Sequence, residues 1–216
     1  MKAFIFDLNG TMIDDMQYHV KAWYHVLNDD LGANMSWDQV KSHMYGKNAE
    51  LLVRVFGRDK FTIEEMNTIS IEKEKRYQQE YRPHLRLIPG LNEFLQKAYE
   101  QSIPMAIGSA AIMFNIDFVL DNLDIRHFFQ TIVSADDVVH SKPDPETYTR
   151  AARQLGVEPA NCLVFEDAPK GVEAALNAGI KSVVLTLLHE RHEFVQYPNI
   201  TRYIDNYNGL SPDDLL

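Results

Sequence analysis

Acidic residues end two apolar segments that lie far apart in this chain of 216 residues. Asp7 follows a segment that begins at Lys2, and Glu166 and Asp167 close a segment that begins at Asn161. Carboxylates that meet repel one another, and their pKa values rise unless a cation lies between them. Mg²⁺ prefers oxygen ligands and commonly works together with substrate phosphates. The three acids therefore predict a magnesium site for phosphate chemistry, provided that the fold brings them together.

Two further side chains and one turn have the chemistry that phosphate binding requires. Ser109 ends the apolar segment PMAIGS, and Lys142 lies in the loop sequence SKPDPE. Their hydroxyl and ammonium groups can donate hydrogen bonds to phosphoryl oxygens. The turn Asn9–Thr11 offers backbone N–H groups that can cradle the same phosphoryl group. Aspartate is a known nucleophile for phosphoryl transfer through an aspartyl-phosphate, which makes Asp7 the candidate nucleophile.

The hydrophobic pattern predicts the elements that position these groups. Short apolar segments alternate with helical patterns after Gly90, which is typical of βαβ units and of a parallel sheet covered on both faces. Because ligands bind beyond the carboxyl ends of such strands, we expect the polar residues at the strand ends to converge on one edge. The predicted strands span 2–8, 104–109, 131–134, 161–166 and 180–185, and the predicted helices span 91–100, 112–123, 144–155 and 171–178.

Residues 14–83 differ from the rest of the chain, because they hold helical patterns and little that is typical of strands. Ser36 predicts the N-cap of one helix, and Thr62 with Glu65 predicts a capping box at the start of a long helix. We therefore expect an α/β core and an inserted helical domain at 14–83, with the core formed by 1–13 and 84–216.

Four motifs in this order resemble those of the haloacid dehalogenase (HAD) superfamily of phosphotransferases, in particular its β-phosphoglucomutase-like group. They are Phe6–Thr11 (FDLNGT), Ile107–Ala110 (IGSA), Ser141–Glu146 (SKPDPE) and Phe165–Gly179 (FEDAPKGVEAALNAG). Each motif alone is weakly specific, whereas four in order at predicted strand ends are strongly specific. The resemblance implies an α/β fold with a Rossmann-like parallel-sheet core and an inserted helical-bundle cap domain.

The resemblance also implies a role for each matching residue. Asp7 is expected to become phosphorylated, while Ser109 and Lys142 bind the phosphoryl oxygens. The expected Mg²⁺ site consists of Asp7, the backbone carbonyl of Asn9, Asp167, and Glu166 as a ligand or a neighbour of the ligands. The expected substrate-binding positions in the core are Leu8, Gly10, Ser109, Ala110 and Lys142.

Asn9 departs from the family pattern at a catalytic position. The family normally has a second Asp there, which protonates the leaving oxygen and later deprotonates water. An Asn side chain cannot exchange a proton at neutral pH, and loss of general acid–base help typically costs about 10²–10⁴-fold in rate. Three explanations are open: an engineered trap, a natural substrate whose leaving group needs little protonation (an acyl phosphate or pyrophosphate), or a protein that binds phosphorylated ligands without efficient turnover.

The helical insert resembles the cap of the mutase group. His19 matches a cap-helix histidine that helps to position the second Asp and the substrate. Asn48 stands where a mutase loop has an arginine that grips substrate, and this loss weakens the mutase interpretation, because a mutase must hold the distal phosphate of a bisphosphate. The cap positions expected to bind substrate are His19, Trp23, Gly46, Lys47 and Lys73.

Several of these residues also have ordinary structural explanations. Ser109 is expected to act as a helix N-cap as well. His19 on a mostly apolar helix face is more often a packed histidine, and the run EKEKR at 72–76 favours a solvated helix face over a binding patch. Trp23 and Tyr77 are expected to pack inside the cap.

Composition excludes several classes of function. The chain has 21 Lys and Arg against 31 Asp and Glu, for a formal net charge of −10, and an acidic surface disfavours nucleic acid and anionic membranes as partners. The sequence has no apolar run long enough to span a membrane, and its first segment is too short for a signal peptide. The single cysteine, Cys162, excludes an internal disulfide and favours a reducing compartment. We therefore expect a cytoplasmic, monomeric protein.

Together these features predict a Mg²⁺-dependent phosphohydrolase that acts on a small phosphorylated metabolite, such as a sugar phosphate, through phospho-Asp7. The first alternative is a β-phosphoglucomutase-type phosphomutase, which would isomerise hexose phosphate instead of releasing phosphate. The second alternative is a weakly active or inactive homologue that binds phosphorylated ligands, an explanation motivated by Asn9.

Overall fold

The computed structural model describes residues 2–215. The chain divides into two compact units, Met1–Asp14 with Arg86–Leu216 and Asp15–Leu85. The first unit is an α/β structure, and the described residues of the second are helical or lie in loops. The identification of these units as a catalytic core and a cap stays a prediction.

The helical unit is held together by an apolar cluster. Val20, Trp23 and Leu27 lie on one side of the first helical segment and pack with buried Leu51 and Leu52. The predicted capping box is confirmed, because the Thr62 hydroxyl accepts from Glu65 N at 3.2 Å and the Glu65 carboxylate accepts from Thr62 N at 2.7 Å. The helical unit contains α1 (Met16–His25), a π-helical turn (Val26–Asp30), α2 (Trp37–His43), α3 (Asn48–Phe56) and α4 (Ile63–Tyr81). Helix α2 begins after the predicted N-cap Ser36.

The α/β unit contains a six-stranded sheet. Its strands are β1 (Ala3–Phe6), β2 (Met105–Gly108), β3 (Thr131–Val133), β4 (Cys162–Glu166), β5 (Lys181–Leu185) and β6 (Ile200–Ile204). They follow the order β3-β2-β1-β4-β5-β6, and every neighbouring pair is parallel. The longer helices of this unit are α5 (Leu91–Glu100), α6 (Met113–Asn122), α7 (Glu146–Leu155) and α8 (Pro169–Asn177). The predicted fold class is confirmed.

The central strands β1, β2 and β4 are buried on both faces of the sheet, which explains why they are continuous apolar segments. Ile5 lies in a cluster with Tyr148 of α7 and Ala174 of α8. On the opposite face Phe6 stacks on Phe165 with ring centroids 4.6 Å apart, and Phe94 of α5 packs against both. Full burial of each such aromatic side chain stabilises the fold by roughly 1.5–3 kcal/mol.

The largest differences from the predicted bounds are at β1, α7 and α8, the other predicted elements differ by at most one residue at either end, and β6 was not predicted at all. β1 ends at Phe6 because the chain turns immediately afterwards, with Leu8 O accepting from Met12 N at 2.8 Å. α7 begins at Glu146 instead of 144, and α8 begins at Pro169 instead of 171, since proline is favoured in the first helical turn. β6 (ITRYI) is a half-exposed edge strand with one neighbour, so it lacks the continuous apolar pattern.

Within residues 2–215, none of the helices combines the length and the apolar character that a transmembrane span needs.

Candidate active site

The strand register gathers the predicted core residues at one edge of the sheet. Phe6 pairs with Ile107 of β2 on one side and with Phe165 of β4 on the other. The residue that follows, Asp7, therefore lies next to the ends of both neighbouring strands, and its backbone N–H donates to Phe165 O at 3.0 Å. Because the strands are parallel, Asp7, Ser109 and Glu166 come from three neighbouring carboxyl ends.

Asp7, Glu166 and Asp167 form a buried acidic cluster. Each offers a carboxylate oxygen within 4.8 Å of the others. Lys142 joins this cluster, since its Nζ lies 2.7 Å from Asp7 Oδ1 and 2.8 Å from Glu166 Oε1. Three carboxylates thus meet a single ammonium group, and this donor set suits a hard divalent cation.

The electrostatics of the cluster follow from burial and from this excess of negative charge. Burial raises the pKa of Asp167 well above its usual range, and the neighbouring Glu166 and Asp7 carboxylates raise it further. Burial alone would lower the pKa of Lys142, but the Asp7 and Glu166 carboxylates outweigh it and raise that pKa. Lys142 is therefore fully charged, while the acids beside it still favour additional positive charge.

Glu166 uses both carboxylate oxygens within the protein. Oε2 accepts from the N–H groups of Asp167 and Ala168, each at 2.9 Å, and Oε1 accepts from Lys142 and from the Tyr148 hydroxyl, the latter at 2.7 Å. Burial and Glu166 raise the pKa of Tyr148 well above its ordinary value, which keeps its hydroxyl protonated as the donor. Glu166 is thus better suited to hold Lys142 than to act as a direct metal ligand.

The loop after β1 packs closely against Asp167. Gly10 has a φ of +75°, and a Cβ at this position would lie 2.1 Å from Asp167 Oδ2. Glycine is required here both for the backbone conformation and for this close approach. The Thr11 hydroxyl donates to Asp167 Oδ1 at 3.2 Å. The backbone around Asn9 therefore lies near Asp167, as shared binding of one cation would need.

The same loop uses part of the phosphate cradle that we predicted. The N–H of Gly10 donates to Ile13 O at 2.8 Å, and the N–H of Thr11 points to Leu8 O at 3.4 Å. Two of the three N–H groups of the turn are thus engaged inside the loop. Leu8 itself is fully buried, whereas Asn9 is partly exposed.

Ser109 is buried but is not the N-cap of the following helix, so that part of the prediction is wrong. Its hydroxyl accepts from Ala111 N at 3.1 Å, within a turn that precedes α6. The helix begins only at Met113, with Ile112 in the N-cap position. Ala110, between the two partners of this bond, is exposed.

The helical unit contains a buried polar network around Lys73. The expectation of a solvated lysine is wrong, because Lys73 is only 2% exposed. Its Nζ lies 2.6 Å from His19 Nδ1 and 3.0 Å from both Glu74 oxygens, and burial lowers its pKa. Glu74 also accepts from Asn48 Nδ2 at 2.7 Å. The pattern of one helix cannot show this burial, since the members of the network come from α1, α3 and α4.

The other residues singled out in the helical unit are arranged as follows. His19 is buried and stacks on Tyr77 with ring centroids 3.7 Å apart, and Trp23 is buried in the apolar cluster, so the expectation of packing for Trp23 and Tyr77 is confirmed. Lys47 and Gly46 are partly exposed, and Lys47 N donates to Glu50 at 3.1 Å before α3. Contact of these residues with a substrate stays a prediction.

Sequence reasoning did not single out two tyrosines that support the core site. Tyr148 contacts Glu166, as described above. Tyr207 is almost fully buried, and its hydroxyl donates to Thr11 O at 3.1 Å, in the loop that follows β1. Tyr148 follows the SKPDPE motif by two residues, whereas Tyr207 has no motif around it. Only the fold reveals its role.

Comparison with known proteins agrees with the motifs and with the fold. The sequence model of the haloacid dehalogenase-like hydrolase family matches residues 4–185. A β-phosphoglucomutase structure from Clostridium difficile has a TM-score of 0.85 and 27% identity, covering 100% of this chain and 95% of the other. A HAD hydrolase structure from Entamoeba histolytica has a TM-score of 0.88, 24% identity and coverage of 100% and 97%, which shows a shared fold.

Two curated relatives connect the sequence with named activities. The fructose-1-phosphate phosphatase of Escherichia coli (strain K12) is 31% identical over 196 residues, covering 85% of this chain and 96% of the relative. The β-phosphoglucomutase of Bacillus subtilis (strain 168) is 31% identical over 189 residues, covering 85% and 82%. With the sheet, the strand-end acids and the family match in agreement, this chain belongs to the haloacid dehalogenase-like hydrolases and is an enzyme of the HAD phosphatase and phosphotransferase type.

Proposed function

We propose that this protein is a Mg²⁺-dependent phosphohydrolase that acts on a small phosphorylated metabolite through a phosphorylated Asp7. The observation that carries this proposal is the placement of Lys142 between Asp7 and Glu166, with Asp167 in the same buried cluster. In this proposal Asp7 is the nucleophile, Lys142 binds phosphate, and Asp7 with Asp167 belongs to the metal site, all at one edge of the sheet.

The residues present fit a divalent cation. Asp7, Asp167 and the backbone carbonyl of Asn9 would hold Mg²⁺, and the excess of carboxylates over ammonium groups favours it. Bound Mg²⁺ supplies charge neutralisation for the transferring phosphoryl group. Glu166 holds Lys142 beside this site and does not bind the cation itself in this proposal, because its oxygens already accept from Lys142, Tyr148 and two backbone N–H groups.

Asp7, Lys142 and Ser109 have different roles in the proposed reaction. A carboxylate oxygen of Asp7 attacks phosphorus, so that an Asp7 O–P bond forms while the bond from phosphorus to the leaving oxygen breaks. Lys142 and Ser109 donate hydrogen bonds to the phosphoryl oxygens, on which negative charge is spread in the transition state. Water then attacks the aspartyl-phosphate, which releases inorganic phosphate and restores Asp7.

Asn9 limits this chemistry at the proton-transfer steps. Its amide can donate a hydrogen bond to the leaving oxygen but cannot protonate it. A substrate whose leaving group is already weakly basic, such as an acyl phosphate or pyrophosphate, needs this proton least. We therefore propose that the ratio of anhydride hydrolysis to ester hydrolysis is higher in this protein than in a variant with Asp at position 9. The alternative explanation is that all substrates are turned over inefficiently.

The named relatives support a sugar phosphate as the substrate class. They include a fructose-1-phosphate phosphatase and a hexitol phosphatase, both from Escherichia coli. The phosphomutase alternative is supported by the β-phosphoglucomutase relative but lacks a cation at Asn48, whose amide instead donates to Glu74. We further propose that the helical unit is the cap, with His19, Trp23, Gly46, Lys47 and Lys73 as its substrate-binding positions.

Location and partners are also proposals. The acidic composition and the lone buried Cys162 favour a monomeric protein of the reducing cytoplasm. The same negative charge disfavours nucleic acid as a partner.

The decisive experiment measures phosphate release from sugar phosphates, acyl phosphates and pyrophosphate, with Mg²⁺ and with EDTA. The parent chain is compared with Asn9→Asp and with Asp7→Asn as the control without a nucleophile. We expect Asn9→Asp to raise ester hydrolysis by about 10²–10⁴-fold and anhydride hydrolysis by much less.

Each other outcome selects a different explanation. Equal gains on esters and anhydrides would exclude the leaving-group explanation. Isomerised hexose phosphate without free phosphate would favour the mutase. Ligand-dependent stabilisation without turnover, in both the parent and Asn9→Asp, would favour a binding protein.

A further inference from the structure

Tyr148 contacts Lys142, its partner Glu166 and the end of β2. It lies in the first turn of α7 and is fully buried. Its hydroxyl donates to Glu166 Oε1 at 2.7 Å, and its ring centroid lies 4.6 Å from Lys142 Nζ. The ring also rests on Gly108, where a Cβ would come within 3.1 Å of its carbons. One side chain thus connects the end of β2, the lysine loop and the end of β4.

We propose that Tyr148 is a positioning residue for phosphoryl transfer, which keeps the ammonium group of Lys142 on Asp7 by sharing the charge of Glu166. This inference rests on the proposed function, since it assigns to the same site a residue that touches neither substrate nor metal. Tyr148 acts through Glu166 and Lys142 alone.

The reason is a competition between two carboxylates for one ammonium group. Lys142 Nζ lies at almost equal distances from Asp7 Oδ1 and Glu166 Oε1, 2.7 and 2.8 Å. Hydrogen bonds to a charged acceptor are strong, so a carboxylate with fewer other donors draws the lysine more strongly. The Tyr148 hydroxyl shares Oε1 with the lysine, and therefore weakens the pull of Glu166 relative to that of Asp7.

The aromatic ring contributes separately from the hydroxyl. A cation within about 6 Å of a ring centroid is attracted to the face of the ring, and the attraction grows when the pair is desolvated. Tyr148→Phe removes the hydroxyl and keeps this ring, whereas Tyr148→Leu removes both. The two variants therefore separate charge sharing at Glu166 from support of the lysine by the ring.

The test compares both variants with Tyr197→Phe, a matched loss of a tyrosine hydroxyl that lies 3.5 Å from Glu173 and outside the acidic cluster. We expect kcat to fall about tenfold in Tyr148→Phe and further in Tyr148→Leu, because the lost interaction is a hydrogen bond to a charged group. KM should change less than about twofold, and affinity for fluoroaluminate, which mimics the transferring phosphoryl group, should fall by the same factor as kcat. Tyr197→Phe should match the parent.

A purely structural role predicts a different pattern. A lowered unfolding midpoint with unchanged kcat and unchanged fluoroaluminate affinity in the folded Tyr148→Phe protein would overturn the proposal. A rise in KM alone would overturn it too.

Crystal structures of the parent and of Tyr148→Phe provide a test that needs no turnover. We expect the distance from Lys142 Nζ to Asp7 Oδ1 to lengthen in the variant while the distance to Glu166 Oε1 stays short. An unchanged distance to Asp7 would overturn the inference. If the parent released phosphate from none of the substrates, the proposed function would be wrong. The two crystal structures would still test whether Tyr148 keeps Lys142 on Asp7.

Discussion

Replacing Gly171 with alanine should destabilise this protein, although alanine is the better helix former. Gly171 is the third residue of α8 and follows Glu166, the last residue of β4, by five positions. A Cβ at this position would lie 1.7 Å from Glu166 Oε1 and 2.0 Å from Glu166 Cδ. Such distances are far below any real contact, so the carboxylate has to move away from its partners.

Two opposing effects determine how much Gly171→Ala changes the free energy of unfolding. Glycine to alanine gains at most about 1 kcal/mol from helix propensity, the value for a helix interior, because Gly171 lies in the first turn of α8. Glu166 accepts four hydrogen bonds, and displacement that breaks two of them should cost about 3–6 kcal/mol, since hydrogen bonds to charged groups contribute about 1.5–3 kcal/mol each. We therefore expect a net loss of about 2–5 kcal/mol in the free energy of unfolding.

Urea unfolding of four proteins measures this effect: the parent, Gly171→Ala, Glu166→Ala and the double variant. If the clash is the cause, the double variant should be less destabilised than the two single variants predict together, because the shortened side chain at 166 makes room for the methyl group. Greater stability of Gly171→Ala than of the parent, with full phosphatase activity, would show that helix propensity dominates and that Glu166 makes room for the methyl group without losing its hydrogen bonds.

Two further substitutions test the acidic cluster and the loop beside it. Asp167→Asn should raise the thermal midpoint of unfolding measured in EDTA, because one of three repelling carboxylates loses its charge. It should also abolish the stabilisation by Mg²⁺, which is about 2.7 kcal/mol for the parent at a Mg²⁺ concentration of 100 times Kd. An undiminished stabilisation by Mg²⁺ in the variant would exclude Asp167 as a ligand. Tyr207→Phe should lower the free energy of unfolding by about 1 kcal/mol, since the buried Thr11 carbonyl loses its donor. It should also speed hydrogen exchange at the backbone amides of Met12 and Ile13. Exchange at the parent's rate would contradict a role for Tyr207 in holding this loop.

The sequence was sufficient for five of the six strands and for the placement of Asp7, Ser109 and Glu166 at strand ends, because both depend on short-range patterns. Apolar segments that end in Asp7, Ser109 and Glu166 identify the strands, and parallel topology then places their ends together. It was insufficient for β6, whose half-exposed edge position gives a mixed polar and apolar pattern. It also failed for Lys73, because a charged residue is buried only when distant partners such as His19 satisfy it.

Under the proposed function, proton transfer and charge stabilisation belong to different residues of the site. The backbone N–H groups of Gly10, Thr11 and Met12 make hydrogen bonds inside the loop, and the charged side chains beside it are Asp7, Lys142 and Asp167. In this proposal, exchange of an acid for its amide at position 9 removes a proton donor and none of these charges. Electrostatic stabilisation is commonly the larger part of such catalysis. It follows that comparison of Asn9 with Asp at this position, on substrates of different leaving-group basicity, measures proton transfer separately from charge stabilisation.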